Sequence, residues 1–212
     1  MIGIIGAMDE EVISVKRRMH VTGQREIASM EFFIGTIGEK EVVTVQTGSG
    51  KVHAAVCTQI LINLFDVEYI INTSFAGGLN PDLNIGDIVV ASDIIEQGDE
   101  VSVNQKLVNM TKSAAEKLKG NHKVFVGRIS SDDEFICSMR VEKDIYTPFT
   151  AYCADMEGAA IAHTCFLNQV PFVAIRTISD KANPNEEIKF EDFVDEASRN
   201  ISRVVESLVN AL

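Results

Sequence analysis

Short apolar runs alternate along the chain with longer segments of helical period, and this pattern predicts the secondary structure. The apolar runs predict eight strands, at residues 3–5, 31–36, 41–46, 69–73, 86–91, 123–128, 151–155 and 172–178. The helical segments predict five helices, at residues 10–19, 51–64, 104–118, 157–167 and 193–212. Strands and helices that alternate in this way are typical of an α/β domain.

Two features indicate how these elements pack. The strands at 69–73 and 172–178 are almost wholly apolar, which indicates burial on both faces of a sheet. The last helix carries six apolar residues on one face, namely Val194, Ala197, Ile201, Val204, Val205 and Leu208. Because no repeat, low-complexity tract or Pro/Ser-rich linker divides the chain, we expect residues 1–212 to form a single domain.

The composition narrows the functional classes. The 212 residues include 31 acidic and 19 basic side chains, which give a formal net charge of −12. This charge argues against nucleic acid or anionic membranes as partners, because both are bound through Lys and Arg. The apolar run at residues 1–7 is shorter than a signal-peptide core, and no run approaches the ~20 apolar residues of a membrane span. We therefore expect a cytoplasmic protein.

The cysteines, histidines and glycine-rich turns do not indicate metal, nucleophile or phosphate chemistry. The four cysteines (Cys57, Cys137, Cys153 and Cys165) are widely spaced, and the four histidines have no ligand spacing, so no metal site is predicted. No His or Asn is placed to suggest a catalytic triad with a cysteine. The turn at residues 48–52 lacks the first glycine and the Ser/Thr of a P-loop, so a tight turn is the better interpretation.

Carboxylates and glycines follow four of the predicted strands. They are Glu11 with Asp9 and Glu10, the pair Gly77-Gly78 after Ala76, Glu157 with Asp155, and Asp180. In α/β sheets and barrels, functional residues collect where strands end. The acids at three of these strand ends are therefore predicted to converge.

Each of these acids also has a structural explanation. Acids in the first turn of a helix, such as Glu11, complement the helix dipole, and Asp155 could cap the next helix. Asp180 is harder to explain in this way, because a buried acid at the end of an apolar strand must be paired or protonated. Two carboxyl groups can cleave a glycosidic bond if one protonates the leaving group while the other activates water.

Six blocks of the sequence resemble the bacterial 5′-methylthioadenosine/S-adenosylhomocysteine nucleosidases. The blocks occur in one order, at residues 3–12, 50–52, 71–79, 86–90, 156–163 and 176–180. The resemblance implies the nucleoside phosphorylase-like fold, a three-layer α/β/α sandwich around a twisted mixed β-sheet. It also implies a homodimer without metal or organic cofactor that hydrolyses the N-glycosidic bond of an adenine nucleoside in methionine salvage.

The same resemblance implies roles for the acids. Glu11 would be the general base that deprotonates the attacking water, and Asp180, aided by Ser179, would protonate the purine. Glu157 would bind the ribose hydroxyls, and Arg176 would help to hold the water and keep Glu11 ionised. Burial would keep Asp180 protonated. We expect the carboxyl groups of Glu11 and Asp180 to lie at least ~6.5–9.5 Å apart, as inversion through water requires.

Further residues of the matching segments would bind the substrate. Phe135 would stack on adenine, the Ile136 backbone would read the edge of the base, and Phe190 would close over it. The remaining predicted substrate-binding residues are Met156, Asp155, Phe75, Ala76 and Gly77. The three acids at residues 9–11, with no arginine before Arg17, favour water over phosphate as the nucleophile.

Three departures from the family pattern leave the 5′ specificity open. Ser74-Phe75 stands where the family commonly has Gly-Ser, and Asp155 stands where it prefers Glu. The chain also passes directly from Val103 to the helix at Asn104, where relatives have a longer aromatic loop. We therefore expect reduced selectivity for methylthioadenosine over adenosine or 5′-deoxyadenosine. A related purine nucleosidase and, less favoured, a non-catalytic nucleoside-binding protein are the alternatives.

Overall fold

The computed structural model describes residues 1–131, 150–181 and 190–212. Its strands are β1 (Ile2–Gly6), β2 (His20–Ile27), β3 (Met30–Ile37), β4 (Lys40–Gln46), β5 (Tyr69–Gly78), β6 (Ile88–Glu96), β7 (Asp99–Ser102), β8 (Val124–Ser131), β9 (Cys153–Asp155) and β10 (Phe172–Lys181). Its helices are α1 (Asp9–Lys16), α2 (Lys51–Phe65), α3 (Gln105–Glu116), α4 (Gly158–Leu167) and α5 (Phe190–Ala211). All eight predicted strands and all five predicted helices are confirmed.

The strands form one mixed sheet. From β2 the order runs β2-β3-β4-β1-β5, and β5 then pairs with both β9 and β10. The second half of the sheet closes into a ring of five strands, because β9 pairs with β8, β8 with β6, and β6 with β10. Strand β5 is therefore the junction between the open half and the ring.

Helices cover both faces of the sheet, which confirms the three layers. One apolar cluster joins the strands to Ala54, Cys57 and Leu61 of α2 and to Ile161 and Cys165 of α4. A second cluster joins them to the apolar faces of α3 and α5, including Leu107, Val108, Ile201, Val204 and Leu208. Because burying apolar surface is the main favourable term in folding, these two clusters fix the helices against the sheet. Among the described helices, none is both long and apolar enough to cross a membrane.

Two strands were not predicted, and both belong to hairpins. Strand β2 is polar and almost wholly exposed at the sheet edge, so it carries no apolar alternation. Its turn to β3 holds Ala28 and Ser29 at φ 52° and 60°. The turn from β6 to β7 likewise holds Gln97 and Gly98 at φ 49° and 95°. Two successive positive φ angles are typical of type I′ hairpin turns, whose usual sequence signal is Asn-Gly or Asp-Gly.

Candidate active site

Glu11 is fully buried at the start of α1, whereas its neighbours Asp9 and Glu10 are exposed. Its Oε2 accepts hydrogen bonds from the backbone N–H groups of Ala7 (2.7 Å) and Met8 (3.0 Å). An acid three residues after the cap that bonds back to the cap N–H is one half of a capping box. The helix start therefore explains the position of Glu11 in part, but not its burial.

The other Glu11 oxygen reaches the end of β5. Oε1 accepts from the backbone N–H of Phe75 at 2.9 Å, and the Ser74 side chain also hydrogen-bonds the carboxyl group. A side chain at Gly6 would bring its Cβ within 3.1 Å of Glu11 Oε2, so a glycine at this position leaves room for the carboxylate. Glu11 thus joins the ends of β1 and β5.

Burial changes the acidity of Glu11. Desolvation raises the pKa of its carboxyl group from 4.5 to about 7, against the opposing effect of the hydrogen bonds from Met8, Phe75, Ala7 and Ser74. A group with this pKa is partly ionised at neutral pH, which is the range in which a general base works best. The donors that favour its charged form are backbone N–H groups and a hydroxyl.

Asp180 lies at the end of β10 beside Gly77 of β5. The register between these parallel strands shifts between Ile178 and Asp180, and bulges of this kind re-aim a side chain next to active sites. Ser179 Oγ donates to Asp180 Oδ1 at 2.6 Å, as the predicted pairing of these two residues requires. Asp180 is half-buried rather than buried, because the strand end reaches the surface.

Glu157 occupies the N-cap position of α4, where its side chain makes no capping hydrogen bond, and it is 6% exposed. Its Oε1 accepts from the backbone N–H of Gly50 at 2.7 Å. Desolvation and the nearby Asp155 carboxylate raise its pKa, whereas the Gly50 hydrogen bond and the Arg176 charge lower it. The helix was predicted to begin at Glu157; instead, α4 begins one residue later, at Gly158.

Arg176, predicted to hold water beside Glu11, binds protein groups other than that carboxyl group. Arg176 is fully buried, and its guanidinium binds Asp155, the side chain and carbonyl of Asn72, and the Ile175 carbonyl. These contacts use all five N–H donors of the group. Arg176 also has no part in the acidity of Glu11.

The structure brings the three acids together around the end of β5. Gly77 is flanked by Asp180 on β10 and by Ala154 on β9, and Glu157 follows three residues after Ala154. Glu11 binds the same strand two residues earlier, at Phe75. Since a strand rises about 3.3 Å per residue, the contact points of Glu11 and Asp180 are about 7 Å apart along β5. No hydrogen bond joins these two carboxyl groups, both of which the structure describes.

The remaining predicted residues divide into two groups. Ala76 is buried in β5, Met156 is half-buried next to Glu157, and the Phe75 ring packs against Met8, Val194 and Ala197. Phe135 and Ile136 lie outside the described residues, as does the side chain of Phe190, the residue at which α5 begins.

Three residues at this site were not predicted. Gly50, at φ 98°, was interpreted as part of a turn, but its N–H anchors Glu157. Asn72 binds Arg176 from the interior of β5, and Ser131 binds Asp155 from the last position of β8; the sequence offers no periodic signal for either contact. Within residues 1–131, 150–181 and 190–212, no group of three His, Cys, Asp or Glu side chains could hold a metal ion.

Comparison with known proteins agrees with this geometry. The family model of the Phosphorylase superfamily matches residues 1–210. A curated 5′-methylthioadenosine/S-adenosylhomocysteine nucleosidase of Staphylococcus haemolyticus is 38% identical, and the match covers all of both chains.

Two solved structures share the fold over the whole of this chain. One is a methylthioadenosine/S-adenosylhomocysteine nucleosidase of Colwellia psychrerythraea in complex with adenine, with a TM-score of 0.92, 34% identity and 95% of that chain covered. The other is a futalosine hydrolase of Helicobacter pylori, with a TM-score of 0.91, 27% identity and 97% covered. The chain belongs to the phosphorylase superfamily and, within it, to the family of the 5′-methylthioadenosine/S-adenosylhomocysteine nucleosidases.

Proposed function

We propose that the protein hydrolyses the N-glycosidic bond of 5′-methylthioadenosine and S-adenosylhomocysteine and releases adenine and the thioribose product. The observation that carries this proposal is the convergence of Glu11, Asp180 and Glu157 on the end of β5. Glu11 and Asp180, whose contact points lie about 7 Å apart along β5, supply both the base and the acid that glycosidic hydrolysis requires. The reaction would serve methionine salvage in the cytoplasm.

Glu11 is the proposed general base. Cleavage passes through an oxocarbenium-like state, in which positive charge develops on the sugar and the base departs with the bonding electrons. Glu11, with a pKa near 7, takes a proton from the attacking water as the new C–O bond forms. The backbone N–H groups of Ala7 and Met8 hold one of its oxygens in a fixed position.

Asp180 is the proposed general acid, and Glu157 is the proposed ribose ligand. Asp180 gives its proton to the purine, so that adenine leaves neutral, and Ser179 orients the carboxyl group through its 2.6 Å hydrogen bond. The backbone N–H groups of Gly50 and Met156 anchor the Glu157 carboxylate, which is proposed to accept from the ribose hydroxyls as well. Phe135, Ile136 and Phe190 stay predictions for the adenine pocket.

A homodimer is proposed from the exposed surface of the α2–α4 layer. Five large apolar side chains are exposed on these helices, namely Val52 (76% exposed), Val56 (43%), Leu64 (51%), Phe166 (69%) and Leu167 (77%). Apolar side chains exposed together on one layer of a globular protein favour association. The patch fits a second copy of this chain, related by a twofold axis.

The second candidate is a related purine nucleosidase with a different 5′ preference. One solved structure with the same fold is a futalosine hydrolase, which makes such an enzyme a reasonable alternative. Two observations favour it. The Phe75 ring packs against Met8 and the first turns of α5, where a smaller residue would leave space. Only Val103 and Asn104 connect β7 to α3, and the Asn104 side chain caps α3 at Leu107.

Adenine release from purified protein tests both candidates. We expect release without added phosphate, and a loss of at least 100-fold in kcat/KM in Asp180→Asn, because general acid catalysis contributes 10²–10⁴-fold. Asp82→Asn, which changes an exposed acid after β5, is the matched control.

Strict dependence on phosphate would overturn hydrolysis, and a protein that binds adenosine but releases no adenine would be a binding protein. Specificity constants for methylthioadenosine, adenosine and 5′-deoxyadenosine that lie within tenfold of each other would favour the second candidate.

A further inference from the structure

The Arg176 guanidinium and the Asp155 carboxylate form a buried ion pair in which every polar atom of the guanidinium is bound to protein. Arg176 Nε donates to Asp155 Oδ2 at 2.8 Å, and Nη2 donates to the same oxygen. The side chains of Arg176 and Asp155 are 0% and 1% exposed. All five N–H donors of Arg176 are therefore engaged with protein groups.

The other oxygen of Asp155 fixes the start of α4. Oδ1 accepts from the backbone N–H of Gly158 at 3.1 Å and from the Ser131 hydroxyl. The same hydroxyl accepts from the N–H of Ala159 at 2.8 Å. Two of the N–H groups that have no partner at any helix start are thus satisfied through Asp155. The residue just before them is Glu157.

Asn72 connects this assembly to the centre of the sheet. Its Oδ1 accepts from Arg176 Nη2, and its Nδ2 donates to the Ile5 carbonyl of β1 at 3.2 Å. Asn72 itself is fully buried and contacts neither Glu157 nor α4 through a hydrogen bond. The chain Asn72–Arg176–Asp155–Ser131 therefore runs from the central strands to the helix that carries Glu157.

We infer that this chain of four residues positions Glu157, with Arg176 as a positioning residue within it. The inference rests on the proposed role of Glu157 as the ribose ligand. Gly158 is part of the same arrangement, because a Cβ at this position would lie 2.5 Å from Asp155 Oδ2. Because Asp155 packs closely against Gly158 and binds its N–H, a displaced Asp155 would move Gly158 and the neighbouring Glu157.

Asn72→Ala is the decisive variant, because it removes a partner of Arg176 while leaving the ion pair and all three proposed site acids in place. We expect a 10- to 100-fold loss of kcat/KM, since a displacement of about 1 Å can cost 10²-fold. Ser131→Ala, which removes the bridge to Ala159, should show the same loss and serves if Asn72→Ala does not fold. Leu61→Ala, a fully buried core residue of α2, controls for lost stability.

Two double-mutant cycles identify the residue through which the network acts. If the network positions Glu157, the effect of Asn72→Ala should shrink to less than about threefold in a Glu157→Gln background and persist in a Glu11→Gln background. Glutamine keeps an oxygen that can accept from Gly50, so the anchor of residue 157 survives the substitution. Full additivity with Glu157→Gln, or coupling to Glu11→Gln instead, would overturn the inference.

Amide hydrogen exchange supplies a readout that does not depend on activity. The N–H groups of Gly158 and Ala159 should exchange at least tenfold faster in Asn72→Ala than in wild type, and should be unchanged in Leu61→Ala after correction for global stability. Unchanged exchange in Asn72→Ala would contradict the inference. If wild type releases no adenine while exchange changes as expected, the proposed function fails and the positioning of α4 stands.

Discussion

The acidity of Glu11 makes folding stability depend on pH in a way that one substitution can isolate. In the unfolded chain the carboxyl group has its ordinary pKa of 4.5, and in the folded protein desolvation raises the pKa to about 7. Between these pH values the folded state holds a proton that the unfolded state has lost. Stability from this group is therefore fully present below pH 4.5 and is lost as the pH rises through 7.

The two pKa values give the size of this effect. One pH unit of difference corresponds to about 1.4 kcal/mol, so the free energy of unfolding should fall by about 3 kcal/mol across this interval because of Glu11 alone. Glu11→Gln removes the titration. The difference in unfolding free energy, wild type minus Glu11→Gln, should therefore decrease by about 3 kcal/mol between pH 4.5 and 8.

Urea unfolding of both proteins at one protein concentration, at half-unit steps of pH, measures this difference. Glu157 also has a raised pKa, but it titrates in both proteins and cancels. Glu10→Gln, an exposed neighbour on the same helix turn, should show no such trend. A difference that stays flat or increases with pH would refute the raised pKa. The same titration predicts that kcat/KM of the wild type falls as the pH drops below 7.

The remaining predictions concern the fit around the ion pair and the exposed apolar patch. Gly158→Ala should lower the free energy of unfolding by about 2 kcal/mol or more, because its Cβ would meet Asp155 at 2.5 Å, whereas Gly23→Ala, with only Ile34 at 3.9 Å, should change it by less than about 0.5 kcal/mol. Equal urea midpoints for the two variants would contradict this explanation. Leu167→Lys should convert a dimer to a monomer in sedimentation velocity, because the lysine charge would be buried in the interface, whereas Ile13→Lys on the opposite layer should not. A wild-type monomer would refute the proposed interface.

The fold was predictable because its elements have strong periodic signals. The apolar strands β5 and β10 contribute to both core clusters and the one-sided helix α5 to one of them, and their patterns are unambiguous. The hairpin strands β2 and β7 were not predictable. Their turns place Ala28, Ser29 and Gln97 at positive φ, which these residues rarely adopt, so no turn signal preceded the strands. The closure of five strands into a ring depends on pairings between distant segments, which periodicity does not report.

The candidate site was predictable at its carboxylates and not at the residues that hold them. Strand ends identified Glu11, Glu157 and Asp180, and the resemblance assigned their roles. Asn72 and Ser131 lie in buried strand positions, where a polar residue is visible in the sequence but its partner is not. Their partners, Arg176 and Asp155, are 104 and 24 residues away along the chain.

The acids at residues 9–11 all lie in the first turn of α1, so their position along the helix does not distinguish Glu11 from its two neighbours. All three complement the dipole of α1, and for the exposed Asp9 and Glu10 this explanation is sufficient. Glu11 differs only in facing the sheet, where Gly6 leaves space for it and the N–H of Phe75 meets it. A carboxylate that needed only the dipole would gain nothing from full burial, because desolvation disfavours its charged form. The burial of Glu11 is therefore the feature that separates it from Asp9 and Glu10.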